Sequence, residues 1–130
     1  MSRPKNAKYS ESHEWAVLEG DTLTLGVTDF AVEALGDIVF IDLPDAGKEL
    51  DKGDTACEIE SVKAVSDVYS PVAGVVEAVN SGLGDDPAPL ASDPFGAGWL
   101  VKIKVTDRSG LDGLMDLAAY ESHLENAAQG

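Results

Sequence analysis

His13, His123 and Cys57 are the only histidines and the only cysteine in this 130-residue chain, which leaves little of the usual catalytic inventory. One thiol and two histidines at those positions match no recognised zinc spacing. Ser12-His13-Glu14 has the letters of a nucleophile, a base and an orienting acid. Neighbours on an extended segment point to opposite faces, however, so the three cannot line up for catalysis. Gly82-Leu-Gly84 and Gly110-Leu-Asp-Gly113 lack the strand-to-helix setting and following lysine of a phosphate loop. The residues therefore point away from an enzyme with its own active site.

Lys63 stands apart. It is the only basic residue between Lys52 and Lys102, and it sits in a link between two strand-like runs that is too short for anything but a tight turn. A lysine at a hairpin tip is solvated, and its long stem is free to rotate. One reading is a solubilising surface lysine. The other is an attachment point, because a lone amine on a rigid protrusion is what an acyl group needs for an amide bond. The apolar neighbours Val62, Ala64 and Val65 suit a surface that another protein reads. From the residues alone both readings stay open.

The elements around that lysine read as short strands. Residues 15–19 and 22–28 are apolar and β-branched runs joined at Gly20-Asp21, a hairpin signal. Thr28 or Asp29 caps a short helix bearing Phe30, Ala31, Ala34 and Leu35, with Gly36 at its end. Residues 37–43 form a strand stopped by Pro44. Residues 55–60 alternate, with Cys57 and Ile59 on one face and Glu58 and Glu60 on the other. Residues 65–69, 75–79 and 99–105 are further strands. Residues 80–98 read as a loop, given Gly82, Gly84, Pro87, Pro89, Pro94, Gly96 and Gly98. Ser109 and Asp112 have capping-box spacing and open a helical tail over 109–126, in which Leu117, Tyr120 and Leu124 share a face. Residues 1–8 read as a flexible start. The whole is one mainly β domain over 1–130, a sandwich or barrel with a short early helix and C-terminal helices.

Charge narrows the partners. Nine basic and twenty-four acidic residues give a net charge of −15. That argues against nucleic acid and against an anionic membrane surface, both of which need clustered Lys and Arg. It suits encounters with basic patches on other proteins. No apolar run approaches a spanning helix, and residues 1–10 contain no apolar core of a signal peptide. A lone cysteine fits a reducing compartment.

The run ESVKAVSDVYSPVAG at residues 60–74 closely resembles the lipoylation segment of the glycine cleavage system H protein family. YSESHEW at 9–15, GVTDFAVEALGDIVFIDLP at 26–44 and DPFGAGWLVKIKV at 93–105 resemble the same family in the same order. Phe95 stands where a tyrosine is common, and Cys57 occupies a small core position. Biotin carriers share the hairpin but usually place methionines beside the lysine, where this chain has Val62 and Ala64.

The resemblance implies a barrel-sandwich hybrid fold, lipoyl-domain-like, with lipoate amide-linked to Lys63. It implies a non-catalytic carrier that shuttles the aminomethyl group of glycine. The group would pass from a pyridoxal-phosphate-dependent glycine decarboxylase to a tetrahydrofolate-dependent aminomethyltransferase. Dihydrolipoamide dehydrogenase would then reoxidise the arm, and lipoyl-attaching enzymes would load it. The positions matching the cleft that shelters the loaded arm are Ser12, Glu14 and Asp67. Without the resemblance, Glu14 and Asp67 read as two solvated acids, and Trp15 and Trp99 as core. A monomer in a bacterial cytoplasm is expected. A lipoyl relay serving 2-oxoacid dehydrogenases, a biotin carrier and an unmodified interaction module are the alternatives.

Overall fold

The computed structural model describes residues 4–129, with side chains to Glu125. Nine strands form two antiparallel sheets. The larger runs β1-β2-β3-β9-β8-β5, from Lys8–Tyr9, Glu14–Glu19, Thr22–Val27, Val101–Asp107, Ala73–Val79 and Glu49–Leu50. The smaller runs β4-β6-β7, from Ile38–Asp42, Thr55–Ser61 and Val65–Tyr69. The fold is thus mainly β, with two open sheets packed over a shared core rather than a closed barrel.

Alternation explains the layers. On β6, Cys57 and Ile59 are buried while Glu60 is exposed, and on β7 only Val68 is fully buried. These side chains meet Leu23, Leu25, Val76 and Ile103 of the larger sheet in the main core. A second cluster joins Ala7, Tyr9, Trp15 and Tyr120, with Leu117 and Leu124 packed against it. Trp15 lies across Gly26, where a Cβ would fall 2.5 Å from its indole nitrogen, so only glycine fits opposite it. Its Nε1 donates to the Pro94 carbonyl at 2.9 Å. Trp15 is core, as expected, whereas Trp99 is half-buried under the Lys102 ammonium.

Helix α1 spans Asp29–Leu35, with the Thr28 hydroxyl accepting from the Ala31 amide. Its buried face carries Val32 and Leu35 rather than Ala34. Three further expectations meet a different structure. Residues 80–98 contain two short helices, α2 (Gly82–Asp85) and α3 (Ala88–Ser92), because Leu83 and Leu90 are fully buried and a proline is tolerated in a first helical turn. Asn80 holds that segment by donating to the carbonyls of Ala97 and Trp99. Ser109 caps no α-helix: Ser109–Gly113 is a 3-10 turn, and α4 starts at Leu117 and runs to Gln129. The start expected to be loose lies outside the described residues over 1–3. After it, Ala7 is buried and Lys8–Tyr9 pairs with β2.

Candidate functional site

Lys63 occupies the middle of the three-residue link between β6 and β7 and is exposed. The link is stapled. The Ser61 hydroxyl donates to the Ala64 carbonyl at 3.1 Å and accepts from the Ala64 amide at 3.0 Å, while the Ser61 amide donates to the same carbonyl at 2.8 Å. The Val62 amide donates to the Asp37 carbonyl at 3.0 Å, tying the link to the corner between α1 and β4. At that corner Gly36 has φ +78°, and a Cβ on it would lie 3.5 Å from Lys63 Cε. The lysine stem therefore lies beside a bare backbone corner. Among the described residues the Lys63 ammonium has no hydrogen bond or ion pair, so its position is set by the turn and not by a charge partner.

At the far end of β7 lies a recess of about 210 Å³ lined by Ser10, Ser12, Glu14, Lys52 and Tyr69 among others. Glu14 is only 4% exposed, which overturns its reading as a solvated acid. The hydroxyls of Ser10 and Ser12 each donate to Glu14 Oε1 at 2.5 Å, and the Tyr69 amide reaches Oε2 at 3.5 Å. The Ser10 hydroxyl also accepts from the Glu14 amide at 3.0 Å. A carboxylate withdrawn from water is held here by neutral donors and has no ion-paired cation among the described residues. A small cation entering the recess would meet it with little competing water.

The structure brings Ser12 and Glu14 together and adds Ser10, which the sequence reading missed. Serines four and two residues before a glutamate, around a tight bend, are the signal that was available. Asp67 does not line this recess. It is exposed on the outer face of β7, opposite Glu58, between the Lys63 link and Tyr69. Val65, Asp67 and Tyr69 share that face by the two-residue period and lead from the lysine to the recess.

His13, between the serine and the glutamate, faces away from the recess at φ +70°. Its Nδ1 lies 2.9 Å from the Tyr120 hydroxyl, which also meets the Thr28 hydroxyl at 2.7 Å. Burial and then the nearby His123 push the His13 pKa below 6.5. The triad reading fails, but through a turn at 11–13 rather than an extended segment: Ser12 bonds Glu14 while His13 turns to Tyr120. Cys57 is buried, and burial first, then the charges of Glu14 and Asp42, pushes its pKa up to about 12. Among the described residues no cluster of three His, Cys, Asp or Glu is placed to hold a metal ion, and no helix is long and apolar enough to cross a membrane.

Two packed antiparallel sheets joined to an exposed lysine on a stapled hairpin link give the chain a lipoyl-domain-like architecture. The family model described as "Glycine cleavage H-protein" matches residues 7–127. A glycine cleavage system H protein from Acaryochloris marina is 50% identical over 122 residues, covering 94% of this chain and 95% of the relative. One from Thermus thermophilus is 44% identical over 128 residues, covering 98% and 100%. A crystal structure of a glycine cleavage system H protein from Mycobacterium marinum superposes with a TM-score of 0.87 at 37% identity, over 95% of this chain and 99% of that one. The chain belongs to the glycine cleavage H-protein family, a family of lipoate carriers.

Proposed function

We propose that the protein carries lipoate as an amide on Lys63 Nζ and shuttles the aminomethyl group of glycine as a shared substrate of other enzymes. The donor would be a pyridoxal-phosphate glycine decarboxylase and the acceptor a tetrahydrofolate-dependent aminomethyltransferase, followed by dihydrolipoamide dehydrogenase. The observation that carries this reading is the exposed, unpaired Lys63 on a link fixed by four hydrogen bonds. A rigid tip presents the amine in one geometry, and a tether turns separate encounters into delivery at high effective concentration. The residues fit the group: the link is open to solvent, and β7 leads from it to a recess whose buried acid suits an ammonium.

In this reading Ser12 and Glu14, with Ser10, receive the aminomethyl end of the loaded arm, and Asp67 flanks its path along β7. The carboxylate pairs with the ammonium, and the recess keeps bulk water from the adduct. The carrier works as a monomer in a bacterial cytoplasm and performs no chemistry of its own. Intact mass of the protein isolated from a lipoate-replete host tests the attachment. Wild type gains one lipoyl group, mapped to Lys63, and Lys63→Arg, which keeps charge and exposure but cannot form the amide, gains none. A lipoylated Lys63→Arg variant, or modification at another lysine, would refute the site.

A further inference from the structure

Among the described residues five large apolar side chains stand exposed, and all five lie on the smaller sheet or its lysine link: Val39, Phe40, Val62, Val65 and Tyr69. Apolar residues scattered singly over a surface call for no explanation, but a cluster marks a contact surface. The pairing of β4 with β6 shifts between Ile38 and Phe40. That irregularity leaves both Val39 (56%) and Phe40 (45%) exposed, where strict alternation would turn one of them inward. It lies opposite Glu60 and Ser61, the last residues before the link.

The next row is charged. Asp42 pairs with Glu58, and Glu58 pairs with Asp67, so three carboxylates sit directly across from one another. Like charges in that position weaken a sheet. Lys48 lines the same surface recess as Asp42 and Glu58, yet among the described residues it forms no ion pair with either. The outer face thus combines exposed apolar side chains on either side of Glu60, beside the lysine, with an unneutralised acidic row, both of which a partner would satisfy at once.

We infer that the outer face of β4 and β6 docks the enzyme that acylates Lys63, through a groove with an apolar floor and a rim of lysine and arginine. This rests on the carrier reading above. In the acylation step, neutral Nζ attacks the carbonyl carbon of an activated lipoyl donor, an acyl phosphate ester or a thioester. The amide C–N bond forms, the bond from that carbon to the leaving oxygen or sulfur breaks, and the amine proton departs to solvent or a base. The attaching enzyme must therefore close its active site over the link itself and touch what surrounds it. Partners of the loaded carrier act on sulfur atoms at the other end of a long arm and need not. A second copy of this chain is disfavoured, because it would set one acidic row against another at a net charge of −15 on each.

The test uses the full unmodified chain, a purified lipoate-attaching enzyme, lipoate and ATP, with initial rates of mass gain. Val39→Ser/Phe40→Ser should raise KM for the carrier about tenfold with kcat within about twofold. Asp42→Asn/Glu58→Gln should raise KM several-fold and flatten its salt dependence. Glu19→Gln on β2 should behave as wild type, and matching thermal melts would show that the folds are kept. Unchanged KM in both double variants overturns the docking face, as does a KM rise seen with the decarboxylase and not with the attaching enzyme. A wild-type dimer that Val39→Ser/Phe40→Ser dissolves would overturn it too. If wild type takes up no lipoyl group at Lys63, the carrier reading falls; if it does and the variants match it, only the docking face falls.

Discussion

Glu14 permits the sharpest separation of structural from functional roles, because one side chain holds the β2 entry together and faces the recess. Glu14→Ala removes an acceptor used by two hydroxyls and one amide. A hydrogen bond to a charged group contributes about 1.5–3 kcal/mol, and such terms are not additive. The recess lets water reach the freed hydroxyls, so a total of about 2–3 kcal/mol is the reasoned loss. For a chain of this length, 1 kcal/mol corresponds to roughly 3–5 °C, so Tm should fall by about 6–15 °C. Glu14→Gln keeps an oxygen for the serines and should lose no more than about 1 kcal/mol. Both variants lose the charge that would hold an ammonium, and each 1.4 kcal/mol lost is about tenfold in the sheltered population. With lipoylated protein loaded with the aminomethyl group and no folate present, both variants should release formaldehyde and ammonia several-fold faster than wild type. A folded, wild-type-stable Glu14→Ala would refute the network. Equal decay in Glu14→Gln and wild type would refute the charge role while leaving the network intact.

The remaining expectations concern charge and pH. Partner turnover should show KM rising with added salt while kcat stays nearly flat, because fields from a −15 surface are screened beyond about 8 Å at physiological ionic strength; a flat KM would remove electrostatic steering. His13 has a folded pKa below 6.5, so above that pH it is neutral in both states and costs nothing. As pH falls below 6.5 the unfolded chain takes up a proton that the folded one resists, and stability drops until the pH passes the folded value. Urea midpoints at pH 7.5 and 5.5 should therefore differ more in wild type than in His13→Asn, a substitution that tolerates the positive φ. Identical differences would show that His13 does not sense pH.

The lysine hairpin was legible because alternation over residues 55–60 and the short link leave one pairing open. The early helix was legible through Thr28 and Gly36, which act as its two ends in the structure. Residues 80–98 were not legible, since glycines and prolines were counted as breakers while tertiary burial of Leu83 and Leu90 decides the local structure. Ser109 misled for a related reason: its amide donates to Asp107 Oδ1 in a local turn, and the α-helix starts only at Leu117. The resemblance grouped Glu14 with Ser12, and the two share a hydrogen bond in the structure, but the burial of Glu14 was invisible, because nothing local in the sequence says that Tyr69 will arrive beside it. Asp67 shows the converse. It shares the exposed face of β7 with Tyr69 but lies two residues nearer the lysine link, short of the recess that Tyr69 lines.

The buried thiol has a consequence under the proposed carrier function, because lipoate is a cyclic disulfide. Thiolates open dithiolanes by exchange, and any accessible thiolate on the same molecule would meet the tethered ring at high local concentration. With its pKa pushed up to about 12, Cys57 stays protonated at pH 7. Burial in the core also denies the thiol a path to the arm. The sole cysteine is thereby kept chemically silent, and self-quenching of the carrier through a mixed disulfide is suppressed both by ionisation and by access.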